Sequence, residues 1–147
     1  MWCTEWFKKR GNSTAEPVEQ FRILAVSIFL DDRFVLERAG NRYGWHLCFS
    51  SSPNDAFRLA SASDFDLILC DRNQPGYPWR EVMDCLAANS PRSSIVLISP
   101  TKDDYLWDDV LTHQGFDILI RPLCEQRVLR MIDTVRFLSL TASCSST

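Results

Sequence analysis

The residues best placed to do chemistry are polar side chains that each end a short apolar run. Ser27, Asp71 and Ser99 end three such runs, and Arg121 ends another, just before Pro122. If the runs are parallel strands, their carboxyl ends lie at the edge of the sheet where open α/β folds bind ligands. Because a guanidinium can hold a carboxylate through two hydrogen bonds, Arg121 and Asp71 are a candidate ion pair there. Asp71 alone is equally consistent with a turn or helix cap, so the combination of the four groups is the more specific signal.

Five apolar runs alternate with five amphipathic segments, and these elements would position the polar groups. The runs lack the alternation of half-buried strands, which predicts strands covered on both faces in a parallel sheet. They cover residues 23–26, 45–49, 67–70, 95–98 and 118–120. The predicted helices cover residues 31–42, 54–62, 78–88, 104–112 and 125–140, and their apolar faces are expected to include Phe34, Leu111, Phe137 and Leu138. The pattern predicts a three-layer α/β/α sandwich with right-handed crossovers.

Composition and charge narrow the class of protein. The 147 residues, 46% hydrophobic and 24% charged, suit one domain with a substantial core. The net charge of −3 and the pI near 5.3 argue against a nucleic-acid partner. The longest apolar stretch, residues 23–30, is too short to cross a bilayer, and no secretory signal precedes it, so we expect a cytoplasmic protein without a membrane partner. We predict an N-terminal extension over residues 1–20, a domain over 21–140 and a C-terminal tail over 141–147.

Common catalytic and metal-binding motifs are absent from the sequence. It contains no Walker-type GxxxxGK loop, no GxGxxG and no GxSxG nucleophile motif. His46 lies within an apolar run and His113 near a helix end, and no serine or cysteine is placed to use either one. We therefore interpret both histidines as structural. The six cysteines contain no CxxC pair, which argues against a structural zinc site.

Residues 66–76 (DLILCDRNQPG) resemble the third strand and phosphoacceptor loop of response-regulator receiver domains, the CheY-like family. Residues 43–47 resemble the family's turn into its second strand, and residues 115–122 resemble the approach to its Lys-Pro dipeptide. The resemblance covers residues 21–140. It implies a flavodoxin-like fold whose five parallel strands lie in the order 2-1-3-4-5.

The resemblance also assigns roles to the residues at the strand ends. It makes Asp71 the candidate phosphoacceptor, Ser99 the hydroxyl that contacts the phosphoryl group, and Arg121 the replacement of the family's lysine. In the family, Mg²⁺ is held by the acceptor, by a backbone carbonyl two residues later, and by an acidic pair after the first strand. The carbonyl position is Asn73 here, and an isoleucine, Ile118, stands where the family has its switch aromatic.

The acidic pair of the family is replaced here by Ser27 and Ile28. Because Mg²⁺ prefers an anionic octahedral oxygen shell, we expect metal binding to be weak or absent, and no other cofactor. Asp31 and Asp32, at the start of the first helix, either supply outer charge to such a site or only interact favourably with the helix dipole. We hypothesise that the candidate ion pair replaces the metal–phosphate cluster and holds the domain in one state.

These observations favour an atypical receiver domain in two-component signal transduction, acting as a phosphorylation-independent or weakly metal-dependent protein-interaction module. The alternative is a genuine phospho-accepting switch in which Asp71 uses Mg²⁺ and a histidine kinase partner. A small-molecule or flavin binder on the same fold is a third interpretation. We expect no enzymatic activity beyond self-phosphorylation and dephosphorylation at Asp71. The expected partner is a signalling protein, either a histidine kinase or an output protein, and analogy with the family allows a homodimer through the fourth and fifth helices.

Overall fold

The structure, a computed structural model, describes residues 20–26 and 29–145, the last six of them for their backbone alone. Five strands alternate with five helices along this part of the chain. They are β1 (Arg22–Val26), α1 (Leu30–Tyr43), β2 (His46–Ser50), α2 (Pro53–Ala62), β3 (Leu67–Asp71), α3 (Trp79–Asn89), β4 (Ser94–Ser99), α4 (Leu106–Thr112), β5 (Asp117–Ile120) and α5 (Glu125–Ser145). The predicted N-terminal extension lies outside the described residues, apart from Gln20.

The five strands form one parallel sheet in the order β2-β1-β3-β4-β5, which confirms the predicted fold. In this register Asp71 of β3 is opposite Ile98, and Ser99 of β4 is opposite Ile120 of β5. The carboxyl ends of β3, β4 and β5 therefore lie side by side. The polar groups that follow or end these strands are brought to one edge of the sheet, as predicted.

Helices cover both faces of the sheet, and the apolar strands explain why. Alternate residues of β1 belong to different cores: Ile23 packs with α1 and α5, and Leu24 packs with α2, α3 and α4. Both side chains are fully buried. Because every position of such a strand must be apolar, the unbroken runs of the sequence predicted the three layers correctly.

The helices differ from the prediction mainly at their ends. α4 begins at Leu106 rather than near residue 104, because the Leu106 N–H closes a turn onto the Asp103 carbonyl at 3.1 Å. α5 continues to Ser145, past the predicted end at residue 140, and the sequence after Pro122 contains no glycine or proline to stop it. The predicted C-terminal tail therefore starts within a helix.

Four side chains that were expected on apolar faces point away from the core. Their exposed fractions are 65% for Phe34, 49% for Leu111, 66% for Phe137 and 45% for Leu138. Phe34 lies two positions from the fully buried Leu36, which is about 200° around the helix. Phe137 has the same relation to the buried Val135. The prediction was wrong for these residues because each helix buries one narrow stripe, and these four side chains lie outside it.

Candidate functional site

Asp71, the last residue of β3, is fully buried at the carboxyl edge of the sheet. Its Oδ1 accepts a hydrogen bond from the Asn73 backbone N–H at 2.8 Å, and its Oδ2 accepts one from Nη2 of Arg121. The amide of Gln74 donates to the Asp71 backbone carbonyl at 2.9 Å. Both carboxylate oxygens are therefore already hydrogen-bonded to the protein.

Arg121, directly after β5, joins two acidic residues that are far apart in sequence. Its backbone N–H donates to the Ser99 carbonyl at 2.9 Å, which extends the pairing of β4 with β5 and fixes where the side chain starts. The guanidinium donates from Nε to Oδ2 of Asp32 at 2.6 Å, and from Nη2 to Asp71. Only 11% of the Arg121 side chain is exposed. The guanidinium thus bridges α1 to β3 from the end of β5.

Asp32 lies in the first turn of α1 and is 3% exposed. Burial raises the pKa of its carboxyl above the ordinary value of 3.8, the hydrogen bond and positive charge of Arg121 partly offset this, and the negative charges of Asp71 and Asp31 add to it. Two carboxylates share one guanidinium, so the fully ionised cluster carries one excess negative charge. Arg121 is therefore the only cation that holds the two buried carboxylates together within the described residues.

Phe29, just before α1, covers the guanidinium from the solvent side. Its ring centroid lies 4.0 Å from Cζ of Arg121, a cation–π contact, and 52% of the residue is exposed. Among the described residues, Nη1 of Arg121 has no hydrogen-bond partner although the atom is buried. The ring therefore helps to exclude water from the ion pairs, which strengthens them.

Ser99 belongs to a second polar network beside the first. Its Oγ donates to the Thr101 carbonyl at 2.6 Å and accepts from Nη1 of Arg72 at 3.2 Å. Nη2 of Arg72 binds Asp103 at 2.7 Å, and this hydrogen bond lowers the pKa of Asp103. Within the described part of the chain, the Ser99 hydroxyl forms no hydrogen bond with the side chain of Asp71 or Arg121.

The structure brings together part of the predicted site and adds one residue to it. Asp71 and Arg121 form the predicted ion pair, and Asn73 contacts Asp71 through its N–H, so that a ligand role for its carbonyl stays a prediction. The sequence left open whether Asp32 supplies outer charge or only faces the helix dipole, whereas the structure places it in direct contact with Arg121. Its spacing of four residues from the buried Leu36 was the signal that could have found it.

Ser27 and Ile28 lie outside the described residues, so the replacement of the acidic pair rests on the sequence.

The two histidines lie away from this edge of the sheet. His46 is buried in β2, where desolvation and then the charge of Arg22 lower its pKa from 6.5 to about 4. His113, after α4, binds Asp84 of α3 at 2.9 Å. Neither contacts the cluster.

A divalent cation does not fit the cluster as it is arranged. Oδ2 of Asp32 and Oδ2 of Asp71 are both bound to Arg121. A Mg²⁺ ion between these oxygens would lie against the guanidinium, and the repulsion between the two cations opposes its binding there. Among the described residues there is also no group of three or more His, Cys, Asp or Glu side chains that could hold a metal ion.

The helices of the described residues include none that combines the length and apolarity needed to span a bilayer. No protein-family profile matches the chain, and no curated protein sequence matches it significantly.

Solved structures, by contrast, match the fold closely. The chemotaxis protein CheY4 of Vibrio cholerae superposes with a TM-score of 0.73 at 16% identity, over 80% of this chain and 99% of that one. A CheY-like receiver domain protein of Methanospirillum hungatei has a TM-score of 0.70 at 15% identity, over 84% and 99%. The receiver domain of the sensor histidine kinase PA1611 of Pseudomonas aeruginosa, with magnesium coordinated in its active-site cleft, has a TM-score of 0.68 at 19% identity, over 79% and 97%. At these identities the likeness establishes the fold alone: the chain has the fold of the CheY-like response-regulator receiver domains.

Proposed function

We propose that this chain is an atypical receiver domain that acts in two-component signalling as a phosphorylation-independent protein-interaction module. One observation carries the proposal: the guanidinium of Arg121 binds Asp32 and Asp71 at once, in a buried cluster. A fixed cation of the protein thus occupies both carboxylates that a metal ion would need.

Phosphoryl transfer to Asp71 would meet two obstacles in this geometry. Both oxygens of Asp71 already accept a hydrogen bond, from Asn73 and from Arg121, and each of these bonds lowers the nucleophilicity of the oxygen that accepts it. The transfer also needs cation charge beyond that which neutralises the carboxylates, because two anions repel each other. Here two carboxylates already outnumber the one guanidinium, so the cluster has no positive charge to spare for an incoming phosphate.

The ion pairs also supply a reason for a single fixed state. The planar guanidinium of Arg121 holds α1 and β3 against the end of β5 at the same time. The module would therefore present one surface to a signalling partner in the cytoplasm, without a cofactor and without enzymatic turnover. We place nucleic acid and membranes outside its partners because of its acidic charge and its lack of a spanning segment in the sequence.

The genuine phospho-switch is the second candidate because a second carboxylate, that of Asp32, lies at the site beside Asp71. Asp32 stands close enough to share a cation with Asp71, as an acidic residue of a metal-binding receiver would. In this alternative, Asp32 and Asp71 would hold Mg²⁺ in place of Arg121, and the metal would supply the cation charge that phosphoryl transfer from a histidine kinase needs.

A phosphorylation assay separates the two candidates. The protein is incubated with a small-molecule phosphoryl donor and Mg²⁺ and analysed by intact-mass spectrometry, with Asp71→Asn as the control. The module predicts no adduct beyond that of the control. A phosphoryl adduct that forms on the wild-type protein and is absent from Asp71→Asn would overturn the proposal in favour of the switch.

A further inference from the structure

Arg72, the first residue after β3, binds the end of the neighbouring strand and the loop beyond it. Its backbone N–H donates to the Ile98 carbonyl at 2.9 Å, which fixes where the side chain starts. The guanidinium donates from Nη1 to Oγ of Ser99, the last residue of β4, at 3.2 Å, and from Nη2 to Oδ2 of Asp103 at 2.7 Å. We define the β4–α4 loop as residues 100–105. One side chain thus joins β3 both to β4 and to this loop.

The hydroxyl of Ser99 has no hydrogen-bonding capacity left over. A serine hydroxyl can donate one hydrogen bond and accept two. Oγ of Ser99 donates to the Thr101 carbonyl at 2.6 Å, and it accepts from the Thr101 N–H at 3.3 Å and from Arg72. Ser99 is also fully buried. The hydroxyl can therefore bind a group at Asp71 only if one of these three bonds breaks.

Asp103 connects the guanidinium of Arg72 to the start of α4. Its side chain accepts from Arg72 and also from Oγ1 of Thr101, at 3.4 Å. Its backbone carbonyl accepts the N–H of Leu106, the first residue of α4, at 3.1 Å. Among the described residues, the pair with Arg72 is the only ion pair that reaches the β4–α4 loop. Arg72 is therefore the side chain whose removal should loosen this loop most.

Helix α4 itself is held to α3 without Arg72. Asp109 of α4 binds Arg80 of α3 at 2.6 Å, and His113, directly after α4, binds Asp84 of α3 at 2.9 Å. Val110 of α4 is fully buried in the core. Loss of the contacts of Arg72 should thus release the loop while α4 stays in place.

A guanidinium suits position 72 better than an ammonium group would. Nη1 and Nη2 donate at the same time to two acceptors that belong to different segments of the chain. The guanidinium keeps its donors in one plane and in fixed directions, whereas the ammonium of lysine is a compact charge on a flexible stem. Only 21% of the Arg72 side chain is exposed, so most of it is shielded from solvent.

We propose that Arg72 is a positioning residue, whose planar guanidinium holds the β4–α4 loop in one conformation and keeps the Ser99 hydroxyl unavailable to a group at Asp71. The inference rests on the proposed function, because it names a second guanidinium that keeps the module in a single state. Arg121 joins α1 and β3 to the end of β5, whereas Arg72 joins β3 to β4 and the loop. The two arginines therefore fix different parts of the same edge of the sheet.

The test compares Arg72→Met with the wild-type chain by amide hydrogen exchange and ¹⁵N relaxation dispersion. Methionine keeps much of the length of the side chain and removes every N–H donor. The Thr101 amide, bonded to Ser99, and the Leu106 amide, bonded to Asp103, report on the loop. Both should exchange about tenfold faster in Arg72→Met, and relaxation dispersion should appear in residues 99–105 and not elsewhere.

Matched variants separate the guanidinium from its charge and from general destabilisation. Arg58→Met is the control, because Arg58 pairs with Asp55 within α2, and it should leave the loop unchanged. Asp103→Ala removes the loop partner at an exposed position and should raise the exchange of the two amides about threefold. Arg72→Lys keeps the charge without the planar fork, so its exchange rates should lie between those of the wild type and Arg72→Met.

Three outcomes would overturn the proposal. They are loop exchange rates in Arg72→Met that match those of Arg58→Met, faster exchange that is spread evenly over the chain, and Arg72→Lys behaving as the wild type. The last of these would show that charge alone holds the loop. No phosphoryl donor is present in these measurements, so failure of this inference is distinguishable from failure of the proposed function, which the phosphorylation assay reports.

Discussion

Removal of the guanidinium at position 121 should destabilise the protein more than any other single change in the cluster. In Arg121→Ala, the buried Asp32 and Asp71 would face each other with no cation between them. Breaking a buried ion pair by removing one partner costs about 3–5 kcal/mol. One carboxyl can take up a proton to relieve the repulsion, so we expect the lower end, a loss of about 3 kcal/mol in the free energy of unfolding at pH 7.

Urea unfolding followed by circular dichroism measures this loss. With an m-value of about 2 kcal/mol/M, a loss of 3 kcal/mol lowers the midpoint by about 1.5 M. Arg42→Ala is the matched control, because Arg42 binds Glu125 at 2.9 Å in an exposed pair that is worth about 0.2–1 kcal/mol. An Arg121→Ala variant that loses no more than this control would refute the inference that the guanidinium holds the cluster together.

The same variant also tests whether Arg121 prevents a metal ion from binding the two carboxylates. Without Arg121, the oxygens of Asp32 and Asp71 become available to a hard divalent cation. At a Mg²⁺ concentration about ten times its dissociation constant, the variant should gain about 1.4 kcal/mol, whereas the wild-type protein should gain nothing. Equal stabilisation of both proteins by Mg²⁺ would mean that Arg121 does not occupy the place of the cation.

Three further predictions concern pH and packing. Burial raises the pKa of Asp32 above 3.8, so the native state binds this proton more tightly than the unfolded state. As pH rises above 3.8 through the raised pKa, the urea midpoint of the wild-type protein should fall relative to that of Asp32→Asn, and a relative rise would contradict the assignment. For His46 the sign is opposite, because its pKa is lowered from 6.5 to about 4. The wild-type protein should therefore lose stability as the pH falls from 6.5 to about 4, and His46→Gln should lose less. Equal losses of stability in the two proteins would show that the histidine is not responsible. In Gly115→Ala, the new Cβ would overlap Val110 and lie 2.6 Å from Cε of Met83, so the midpoint should fall by the equivalent of about 1–3 kcal/mol, and an unchanged midpoint would show that the core can expand there.

The sheet could be predicted from the sequence because each strand is a continuous apolar run. β3 has only apolar residues before Asp71, and this pattern both identifies a strand buried on two faces and marks its carboxyl end. The same logic placed Asp71 and Arg121 at the same edge of the sheet. The strand order that brings β5 within reach of β3 was implied by the resemblance to receiver domains and not by local sequence.

Asp32 and Ser99 show where such reasoning stops. An acidic residue in the first turn of a helix is usually solvated, and only the packing of α1 against the sheet decides that Asp32 is buried on Arg121. Ser99 lies at the predicted edge, but its hydroxyl is held by Arg72, a residue without any distinguishing pattern in the sequence. The hydrogen-bond partner of a long side chain depends on which groups the fold brings near it, and the spacing of apolar residues along the sequence does not contain this information.

The most direct test of the account is a ¹H–¹⁵N NMR titration of the wild-type chain with Mg²⁺ and then with beryllofluoride. The amides of Asp71, Asn73 and Ser99 report on the carboxyl edge of the sheet. If Arg121 takes the place of the cation, these amides should not shift in a saturable way at millimolar Mg²⁺, and beryllofluoride should add nothing. Saturable shifts centred on the three residues and abolished by Asp71→Ala would contradict the account, because they would show that the site still performs the chemistry of a phospho-switch.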